Sequence, residues 1–599
     1  MGPCDVVASS DGRRLLVLLA DAKQVAVVEP GGRVTRTIDV PATPTGLVLS
    51  PNGRTLYVTC AAPQGVVCVV DLESGTVSGT IAAGHAATGP ALSPDGRRLY
   101  VCNRFDNDLS VIDLEAGREV TRVPAVREPI ASAVTPDGKW LFVANLLPAD
   151  RADQHGVDAV SAVLTVVDTR TNRPSTIRLT TGSSSVRGIC ISPDGRHVYV
   201  AHLLSRYHLP TIQVERGWMN ANAMTVIDVA TKKVVNTMLL DEPGRGAANP
   251  WDVACTADGK WISISHAGTH ELSVIDAAGL SAKLKAMPLT GHSNAYLFGE
   301  PFYYGISRAY QAADAANDPA FLEGLRRRIK LEGNGPRGLA VVGSDVYVVE
   351  YFSDTLAAVD LRPGSDRPVT SLALGPEPVL SLERKGQRWF CDGRLCFEHW
   401  QSCESCHPDA RTDGLNWDLL NDGAGNPKNT KTMLHAHRTP PAMATAVRPT
   451  AEAAVRSGIA QIEFASMDED VATAIDAYLK ALQPVPSPHL AGGGLSERAR
   501  RGRGLFFSDR IGCAKCHPAP LYTDLQMHDV GSQGPRDRRS EFDTPALIEA
   551  WRTAPYLHDG RYTTIEELIV GGKHGAGEGR VDQLSEREID DLVEFVLSL

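Results

Sequence analysis

Short runs of alternating apolar and polar residues repeat along the first two thirds of the chain. A typical copy has the turn Ser93-Pro94-Asp95-Gly96, then an alternating run, and then the apolar run 109–113, which ends in Asp. Apolar residues at every second position indicate strands with one buried face, and Pro-Asp-Gly favours a tight turn whose glycine takes a positive φ. Each copy therefore predicts a set of short antiparallel strands.

About seven copies occur before residue 375, roughly 40–50 residues apart, which is the period of propeller blades. Their turns lie at or near Ser10, Ser50, Ser93, Thr135, Ser192, Ala257 and Gly338. Such a unit cannot bury both faces alone, but units stacked radially bury one another. The copies resemble the YVTN-type repeat of exported bacterial proteins. A flat sandwich is the alternative, but it would not give so regular a motif. We predict a seven-bladed β-propeller over 1–375, closed by a strand shared between the two chain ends.

The period changes to that of helices after residue 376. Segments 468–482 and 585–599 carry apolar residues at i, i+3 and i+4, which predicts amphipathic helices. A Pro- and Gly-rich stretch at 484–494 separates two similar halves. The fold class is therefore an all-β propeller followed by two mainly α domains, at 376–485 and 486–599.

Each C-terminal half contains one Cys-x-x-Cys-His motif, the pattern of a covalent c-type haem site. The residues are Cys403, Cys406 and His407 in the first half, and Cys513, Cys516 and His517 in the second. The two thiols would form thioethers with the haem, and the histidine would ligate its iron. Zinc sites need further ligands at regular spacing, and thioredoxin-like sites need a βαβ setting, so both alternatives are disfavoured. The motifs predict two covalently bound haems c, so the two mainly α domains are expected to be cytochrome c domains.

Haem c is attached outside the bacterial cytoplasm, so we expect a periplasmic or otherwise exported protein. Residues 1–4 do not form a signal peptide, and we expect that the signal has been removed. No apolar run of about 18 residues predicts a membrane span. The net charge of −11 argues against nucleic acid as a partner. Eight cysteines outside the motifs leave disulfide pairing open, and Cys391 and Cys396 are the pair closest in sequence.

Residues 376–599 resemble the bacterial di-haem cytochrome c peroxidase and MauG family. Beyond the haem motifs, the resemblance lies in the run 553–561, Thr-Ala-Pro-Tyr-Leu-His-Asp-Gly-Arg, and in Asn-Thr-Lys-Thr at 429–432. In that family an asparagine and the Thr and Pro carbonyls hold a calcium ion between the haems. The resemblance thus implies Ca²⁺ ligands at Asn429, Thr553 and Pro555, although Lys431 replaces the usual proline.

The same resemblance implies that the first haem reacts with H₂O₂ beside a glutamate, which corresponds to Glu463. Its chemical task would be to accept a peroxide proton and return it to the departing oxygen. An ordinary carboxylate at a helix start is the alternative for this residue. The stretch 408–434 has no histidine, so the first haem iron is expected to be open, as in MauG-type members. His435 and His437 follow directly and could still approach the haem.

The second haem is expected to be six-coordinate. Where the peroxidases place a methionine, this chain has Gly-Gly-Lys-His at 571–574, so His574 is the predicted distal ligand, with Tyr556 and Met527 as weaker candidates. The tryptophan that bridges the haems in the family falls near Ala444, where no tryptophan is present. Trp417 and Trp551 could substitute for it.

Three functions remain open at this point. The favoured one is a peroxide-dependent oxidoreductase that oxidises either a small redox protein, such as a cytochrome or cupredoxin, or a protein or peptide substrate docked on the propeller. The second is a di-haem electron-transfer or sensing protein. The third is a propeller that binds a metal or a peptide. The histidines that suggest a propeller metal site are His202, His208, His266 and His270.

Overall fold

The chain from Pro3 to Ala373 forms seven four-stranded antiparallel sheets, each made of four consecutive strands. The computed structural model describes residues 1–154, 159–207, 209, 211, 219–287, 312–362, 364–365, 369–420, 425–576 and 581–599. Seven such sheets agree with the seven repeats in the sequence, and the prediction of a seven-bladed β-propeller is confirmed.

The blades follow one another along the chain without exchange of strands. The strands are β1–β4 at Pro3–Ala8, Leu15–Leu19, Gln24–Val28 and Val34–Asp39; β5–β8 at Thr43–Leu49, Thr55–Ala61, Val66–Asp71 and Thr76–Ala82; β9–β12 at Ala87–Leu92, Arg98–Asn103, Asp108–Asp113 and Arg118–Pro124; β13–β16 at Pro129–Val134, Trp140–Asn145, Val163–Asp168 and Arg173–Arg178; β17–β20 at Ser183–Ile191, His197–Ser205, Asn220–Asp228 and Lys233–Leu239; β21–β24 at Pro250–Cys255, Trp261–His266, Glu271–Asp276 and Arg326–Lys330; and β25–β28 at Pro336–Val342, Asp345–Glu350, Thr355–Asp360 and Val369–Ala373.

The repeated turn explains why each blade has the same shape. Ser93 Oγ donates a hydrogen bond to Asp95 Oδ1 (2.6 Å), which also accepts one from the Arg97 amide (3.1 Å). Gly96 takes φ +71°, a conformation that glycine adopts without steric cost. The turn residues therefore satisfy one another locally, and the flanking strands are left free to pair.

The ring closes by packing rather than by a shared strand, so the predicted strand exchange is wrong. All four strands of the first blade come from residues 3–39, and all four of the last come from residues 336–373. The N-terminal ammonium lies 2.8 Å from Asp354 Oδ2, and the Gly2 amide donates to Asp354 Oδ1 at 2.8 Å. Apolar side chains of the first and last blades form one buried cluster, which includes Val6, Leu15 and Val349. Side-chain burial and an ion pair thus replace the expected hydrogen-bonded closure.

Helices dominate after residue 380. They are α2 at Leu382–Phe390, α3 at Cys403–Cys406, α4 at Ala451–Gln461, α5 at Glu469–Ala481, α6 at Glu497–Phe506, α7 at Cys513–Cys516, α8 at Ile565–Val570 and α9 at Glu586–Leu597, while α1 at Ala277–Ala286 belongs to the propeller. Short strands pair at Asn416–Trp417 with Lys428–Asn429, and at Met527–Asp529 with Glu541–Asp543. Single 3₁₀ turns occur at Ala312–Asn317, Gly393–Leu395, Phe397–His399, Pro408–Ala410, Ala436–Arg438, Ala550–Arg552 and Val581–Gln583.

The two helical halves repeat one helix crossing. Gly386 in α2 lies against α5, where a Cβ would come within 1.8 Å of the Ala474 carbonyl oxygen. Gly502 in α6 lies against α9, where a Cβ would come within 1.8 Å of the Asp591 carbonyl oxygen. Only a residue without a side chain permits so close an approach. The two glycines therefore place the first and last helix of each half in the same arrangement, just before its haem motif.

No helix in the described part of the chain has the length and apolar character needed to cross a membrane. The domain boundaries at 375 and 485 stay predictions. The last propeller strand ends at Ala373, and the first helix beyond it begins at Leu382.

Candidate functional site

The histidine of each motif follows a one-turn helix and is fixed by a backbone carbonyl. His407 Nδ1 donates to the Arg411 carbonyl at 3.0 Å, and His517 Nδ1 donates to the Tyr522 carbonyl at 2.8 Å. This bond selects the tautomer in which Nε2 carries the free lone pair, as in most metal-bound histidines. Burial lowers the pKa of His407 to about 4, so the ring is neutral and suited to bind iron.

The first motif opens onto a cavity that also contains Glu463. Cys403, Cys406, His407 and Glu463 all line this cavity. Glu463 follows α4 and its residue is 3% exposed; Oε2 has no hydrogen-bond partner among the residues that the structure describes. Burial raises the pKa of this carboxyl to about 7, although the side chains of Cys396 and Gln401 partly lower it. The alternative of a carboxylate at a helix start is wrong, because Glu463 lies beyond the end of α4.

The second motif opens onto a separate cavity that contains His574. Cys513, Cys516, His517 and His574 all line it. The ring centroids of His517 and His574 are 6.5 Å apart. Two imidazoles on opposite sides of one metal, each bonded at about 2 Å, would place their centroids roughly 6.3 Å apart. The pair therefore fits an iron held between them, and burial keeps the pKa of His574 low, at about 4.

The other candidates for this ligand are less well placed. Tyr556 lines the second cavity, but its hydroxyl donates to the Ala550 carbonyl at 2.9 Å, and burial raises its pKa. Met527 lies on a short strand and is not among the residues that line either cavity, whereas its neighbour His528 lines the second cavity and pairs with Asp524 at 2.7 Å. His574 stays the predicted ligand.

One segment forms a wall shared by the two cavities. Residues 429–432 line both cavities, and so does Ala444. Ala444, the position at which the family has its bridging tryptophan, therefore lies between the two sites. It has a methyl group there instead of an indole ring. Trp417 lines the first cavity only, and its Nε1 donates to Asp413 at 2.8 Å. Trp551 lines neither cavity and packs against the propeller residue Phe105, with ring centroids 5.1 Å apart.

Two of the three residues predicted to bind calcium, Asn429 and Pro555, lie close to Gly560. A Cβ on this glycine would lie 2.6 Å from Asn429 Nδ2 and 2.9 Å from Pro555 Cγ, and Thr553 lines the second cavity. These residues offer neutral oxygens, which suit Ca²⁺, but no carboxylate. The buried guanidinium of Arg127 donates to the Arg552 carbonyl at 3.0 Å, directly before Thr553. The positive charge of Arg127 repels a calcium ion at this position. The calcium site therefore stays a prediction.

The histidines outside the motifs have partners of their own. His437 lies 2.9 Å from Asp476, and neither His437 nor His435 lines either of the two cavities described above. In the propeller, His202 bonds Leu203 and Thr225, His266 bonds Ala247 and Ser273, and His270 bonds Gly335 and faces Asp392. Both ring nitrogens of His202 and His266 are engaged, so these two residues offer no free nitrogen to a metal. His270 Nε2 lies 3.3 Å from Asp392 Oδ1 without a hydrogen bond. His208 lies outside the described residues.

The remaining cysteines are free thiols in this structure. Cys391 Sγ lies 3.8 Å from Glu404 and Cys396 contacts Glu463, so this pair does not form the disulfide that proximity in sequence suggested. The shortest distances between thiols in the propeller are 3.5 Å for Cys190 and Cys255, and 3.8 Å for Cys60 and Cys68.

The propeller contributes to the first haem site, which the sequence analysis did not foresee. Strands β18 and β19 have nine residues each, and the longer hairpin reaches the haem region. One buried cluster combines propeller and haem-region side chains, namely Ala159, Val160, Tyr207, Met219, Cys396, Trp400, Leu415 and Trp417. Met219 also lines the first cavity. The unusual length of the 203–224 insertion was the only sequence signal for this contact.

A second insertion, at 285–336, has a structural role where it is described. Its arginine run lies on β24, where Arg328 pairs with Glu271 and Arg326 donates to the Leu240 carbonyl. His292, Tyr303, Tyr304 and Tyr310 lie outside the described residues.

Buried ion pairs join the propeller to both haem halves. Propeller Glu128 bonds Arg104 and also Arg552, which directly precedes the Thr-Ala-Pro-Tyr run. Arg104 and Arg552 both reach Asp409, two residues after the first haem histidine. These cations hold the pKa of Glu128 at about 2 in spite of its burial. Because one network contacts the propeller and both haem halves, it fixes their relative positions.

A further ion pair reaches into the first haem motif. Propeller Arg187 lies 2.8 Å from Glu404, one of the two residues between the motif cysteines. The guanidinium also lies over the ring of Trp251, 4.0 Å from its centroid. Burial nevertheless raises the pKa of Glu404 to about 7.

No family model matches the chain. Hydrazine synthase subunit gamma of Kuenenia stuttgartiensis is 29% identical over 273 residues, 36% of this chain and 77% of that protein. MauG of Methylorubrum extorquens is 33% identical over 121 residues, and the match spans only about a third (34%) of its length. Cytochrome-c peroxidase IdrP2 of Pseudomonas sp. (strain SCT) is 26% identical over 297 residues, 36% of this chain and 80% of that protein.

A solved structure shares the fold over much of the chain. A chain of Kuenenia stuttgartiensis hydrazine synthase superposes with a TM-score of 0.52 at 24% identity, covering 60% of this chain and 95% of that one. The haem region makes up less than two fifths of the chain, so the superposition includes propeller blades. This chain is therefore a seven-bladed β-propeller followed by a region related to the bacterial di-haem cytochrome c peroxidases and MauG proteins.

Proposed function

We propose that this protein is an exported di-haem c oxidoreductase in which H₂O₂ reacts at the haem attached to Cys403 and Cys406. The observation that carries the proposal is Glu463, a buried carboxyl group on the cavity that His407 lines, with one oxygen that has no partner in the described part of the chain. The relatives named MauG and cytochrome-c peroxidase support the same class of reaction.

Glu463 is the acid–base group of this proposal. When bound, the haem supplies an iron that can take oxidising equivalents from peroxide. The Glu463 carboxylate accepts a proton from the incoming peroxide and returns it to the departing oxygen. A pKa of about 7 keeps comparable amounts of both protonation states at neutral pH, so the group can act in both directions.

The second site would hold a haem with a different task. Cys513 and Cys516 would attach it, and the imidazoles of His517 and His574, whose ring centroids are 6.5 Å apart, would hold its iron. A haem held by two histidines would store or pass electrons rather than react with peroxide. The proposal includes a calcium ion between the haems, bound by Asn429, Thr553 and Pro555. This site is weak because the positive charge of Arg127 lies next to it.

The electrons come from a small redox protein, such as a cytochrome or cupredoxin, or from a protein or peptide substrate. The negative charge of the chain favours a basic partner. The propeller was expected to be a docking platform, but its buried contacts with Glu404, Asp409 and Arg552 favour a structural role towards the haem halves. Any substrate platform would therefore lie on propeller surface outside these contacts.

A second candidate is a role like that of the hydrazine synthase subunits. Subunits gamma and beta of that enzyme both match this single chain, at 29% and 26% identity. One chain that is similar to two subunits is consistent with a fusion of their functions. Hydrazine in the reaction mixture, and no change in the haem spectrum on addition of H₂O₂, would favour this candidate.

The decisive experiment is a spectroscopic one. Pyridine haemochrome analysis should give two covalently bound haems per chain, and fewer than two would refute the haem assignment. Electron paramagnetic resonance of the ferric protein should show one high-spin and one low-spin haem, because only the second site offers a second histidine. H₂O₂ should change the high-spin signal. Two low-spin signals that ignore peroxide would instead indicate electron transfer or sensing.

A further inference from the structure

Asn220 lies at the start of β19, where the propeller meets the first haem site. Its side chain is fully buried, and it pairs across the hairpin with Ser205 in β18. Ser205 Oγ donates to Asn220 Oδ1 at 2.7 Å. A hydroxyl can donate or accept, so this bond alone does not identify the amide oxygen. The Ile462 carbonyl can only accept, which assigns Nε2 to that end of the Gln401 amide and leaves Oε1 to accept from Asn220 Nδ2.

Both hydrogens of that amide nitrogen have acceptors in the haem region. Nδ2 donates to Gln401 Oε1 at 3.2 Å and to Cys406 Sγ at 3.3 Å. In the mature protein Cys406 Sγ is a thioether sulfur, which is a weak acceptor like that of methionine. An asparagine amide has two N–H donors, so its donor capacity is fully used by these two groups.

Gln401 connects Asn220 to Glu463. It is fully buried, and its Nε2 donates to the Ile462 carbonyl at 3.3 Å, one residue before Glu463. The Gln401 side chain also interacts with the Glu463 carboxyl group. Gln401 therefore contacts both the backbone next to Glu463 and the Glu463 side chain. The oxygen of the same Gln401 amide accepts the hydrogen bond from Asn220.

We propose that Asn220 is a positioning residue of the first haem site: it orients Glu463 through Gln401 and donates a hydrogen bond to the haem-bearing sulfur of Cys406. The propeller thus supplies hydrogen bonds that hold polar groups of the first haem site in place. The role towards Glu463 rests on the function proposed above, whereas the bond to Cys406 does not.

The test uses the full-length protein with both haems and the variant Asn220→Ala. Asn145→Ala is the matched control, because Asn145 in β14 is an equally buried propeller asparagine whose amide donates to the Val163 carbonyl and to Thr165 Oγ1, both within its own blade. Ser205→Ala is a milder second variant. It removes only the hydroxyl that orients the amide, so it should change each readout in the same direction but less, even if Asn220→Ala folds poorly.

Two readouts do not depend on peroxide chemistry. The reduction potential of the haem on Cys403 and Cys406 should fall in Asn220→Ala, because an N–H dipole aimed at the haem edge favours the electron-rich reduced state. The infrared C=O stretching band of protonated Glu463, recorded at pH 5 and assigned by its loss in Glu463→Gln, should shift. Neither readout should change in Asn145→Ala. An unchanged potential and band in Asn220→Ala, or equal changes in the control, would overturn the proposal.

The kinetic readout is a double-mutant cycle. Asn220→Ala should slow the reaction with H₂O₂ by about 10- to 100-fold, the usual cost of a displaced catalytic group. In the Glu463→Gln background it should have no further effect, because both changes act on the same group. Additive effects would refute the coupling to Glu463. If wild type does not react with H₂O₂, the proposed function fails, and the potential and the infrared band still decide the role of Asn220.

Discussion

Replacement of Glu463 by Gln should slow the reaction with H₂O₂ and, at the same time, stabilise the fold at high pH. Glutamine keeps the size and shape of the side chain but cannot exchange a proton. Loss of a positioned acid–base group typically costs roughly 10²–10⁴-fold in rate. Because the deprotonated carboxylate accepts the peroxide proton, the wild-type rate should rise with pH and level off above the Glu463 pKa of about 7. The variant should lose this dependence.

The expected stabilisation follows from the same pKa. Burial raises it from an ordinary value of 4.5 to about 7, so the folded protein binds the proton more tightly than the unfolded chain does. Below pH 4.5 the group is neutral in both states and costs nothing. Between pH 4.5 and 7 the cost of holding a buried charge grows, and above pH 7 it reaches about 3 kcal/mol at 1.36 kcal/mol per pKa unit. Glu463→Gln should recover about this amount at pH 8 and almost none at pH 4.5.

Two measurements test this reasoning. Stopped-flow mixing with H₂O₂ across pH 5–9 gives the rates, and guanidinium unfolding at pH 4.5 and pH 8 gives the free energies of unfolding. Glu115→Gln, the same change at an exposed position in the propeller, is the control and should alter neither. A variant that reacts at the wild-type rate, with no gain in stability at pH 8, would show that Glu463 is a solvated structural carboxylate.

Three further predictions follow from the contacts described above. His574→Ala should convert the low-spin signal of the second haem to high spin, and an unchanged spectrum would remove His574 as its ligand. Glu128→Gln should lower the free energy of unfolding by about 3–5 kcal/mol at pH 7, because it leaves Arg104 and Arg552 short of a counter-charge. Since those cations hold the Glu128 pKa at about 2, this difference should shrink as pH falls from 4.5 towards 2. Calcium titration followed by calorimetry should show weak binding that tightens in Arg127→Gln, and equal affinities would exclude an effect of this guanidinium.

The local features of this protein were predictable from sequence because they depend on neighbouring residues. The Pro-Asp-Gly turns close through bonds between residues two to five positions apart, so each blade could be recognised separately. The haem motifs likewise consist of adjacent residues, and both histidines are fixed by carbonyls only four and five residues further on. The helices at 468–482 and 585–599 were visible because their apolar faces pack within one half of the haem region.

Tertiary structure decided everything that depends on residues far apart in the chain. The ring closes through contacts between residues 1–2 and Asp354, and no local pattern encodes the absence of strand exchange. The Glu128 network joins residues separated by more than 400 positions, and its buried charges are tolerated only because each finds a partner there. Asn220 is an ordinary strand residue in sequence. Only the docking of the propeller hairpin on the haem region, driven by burial of its apolar side chains, brings this amide to Gln401 and Cys406.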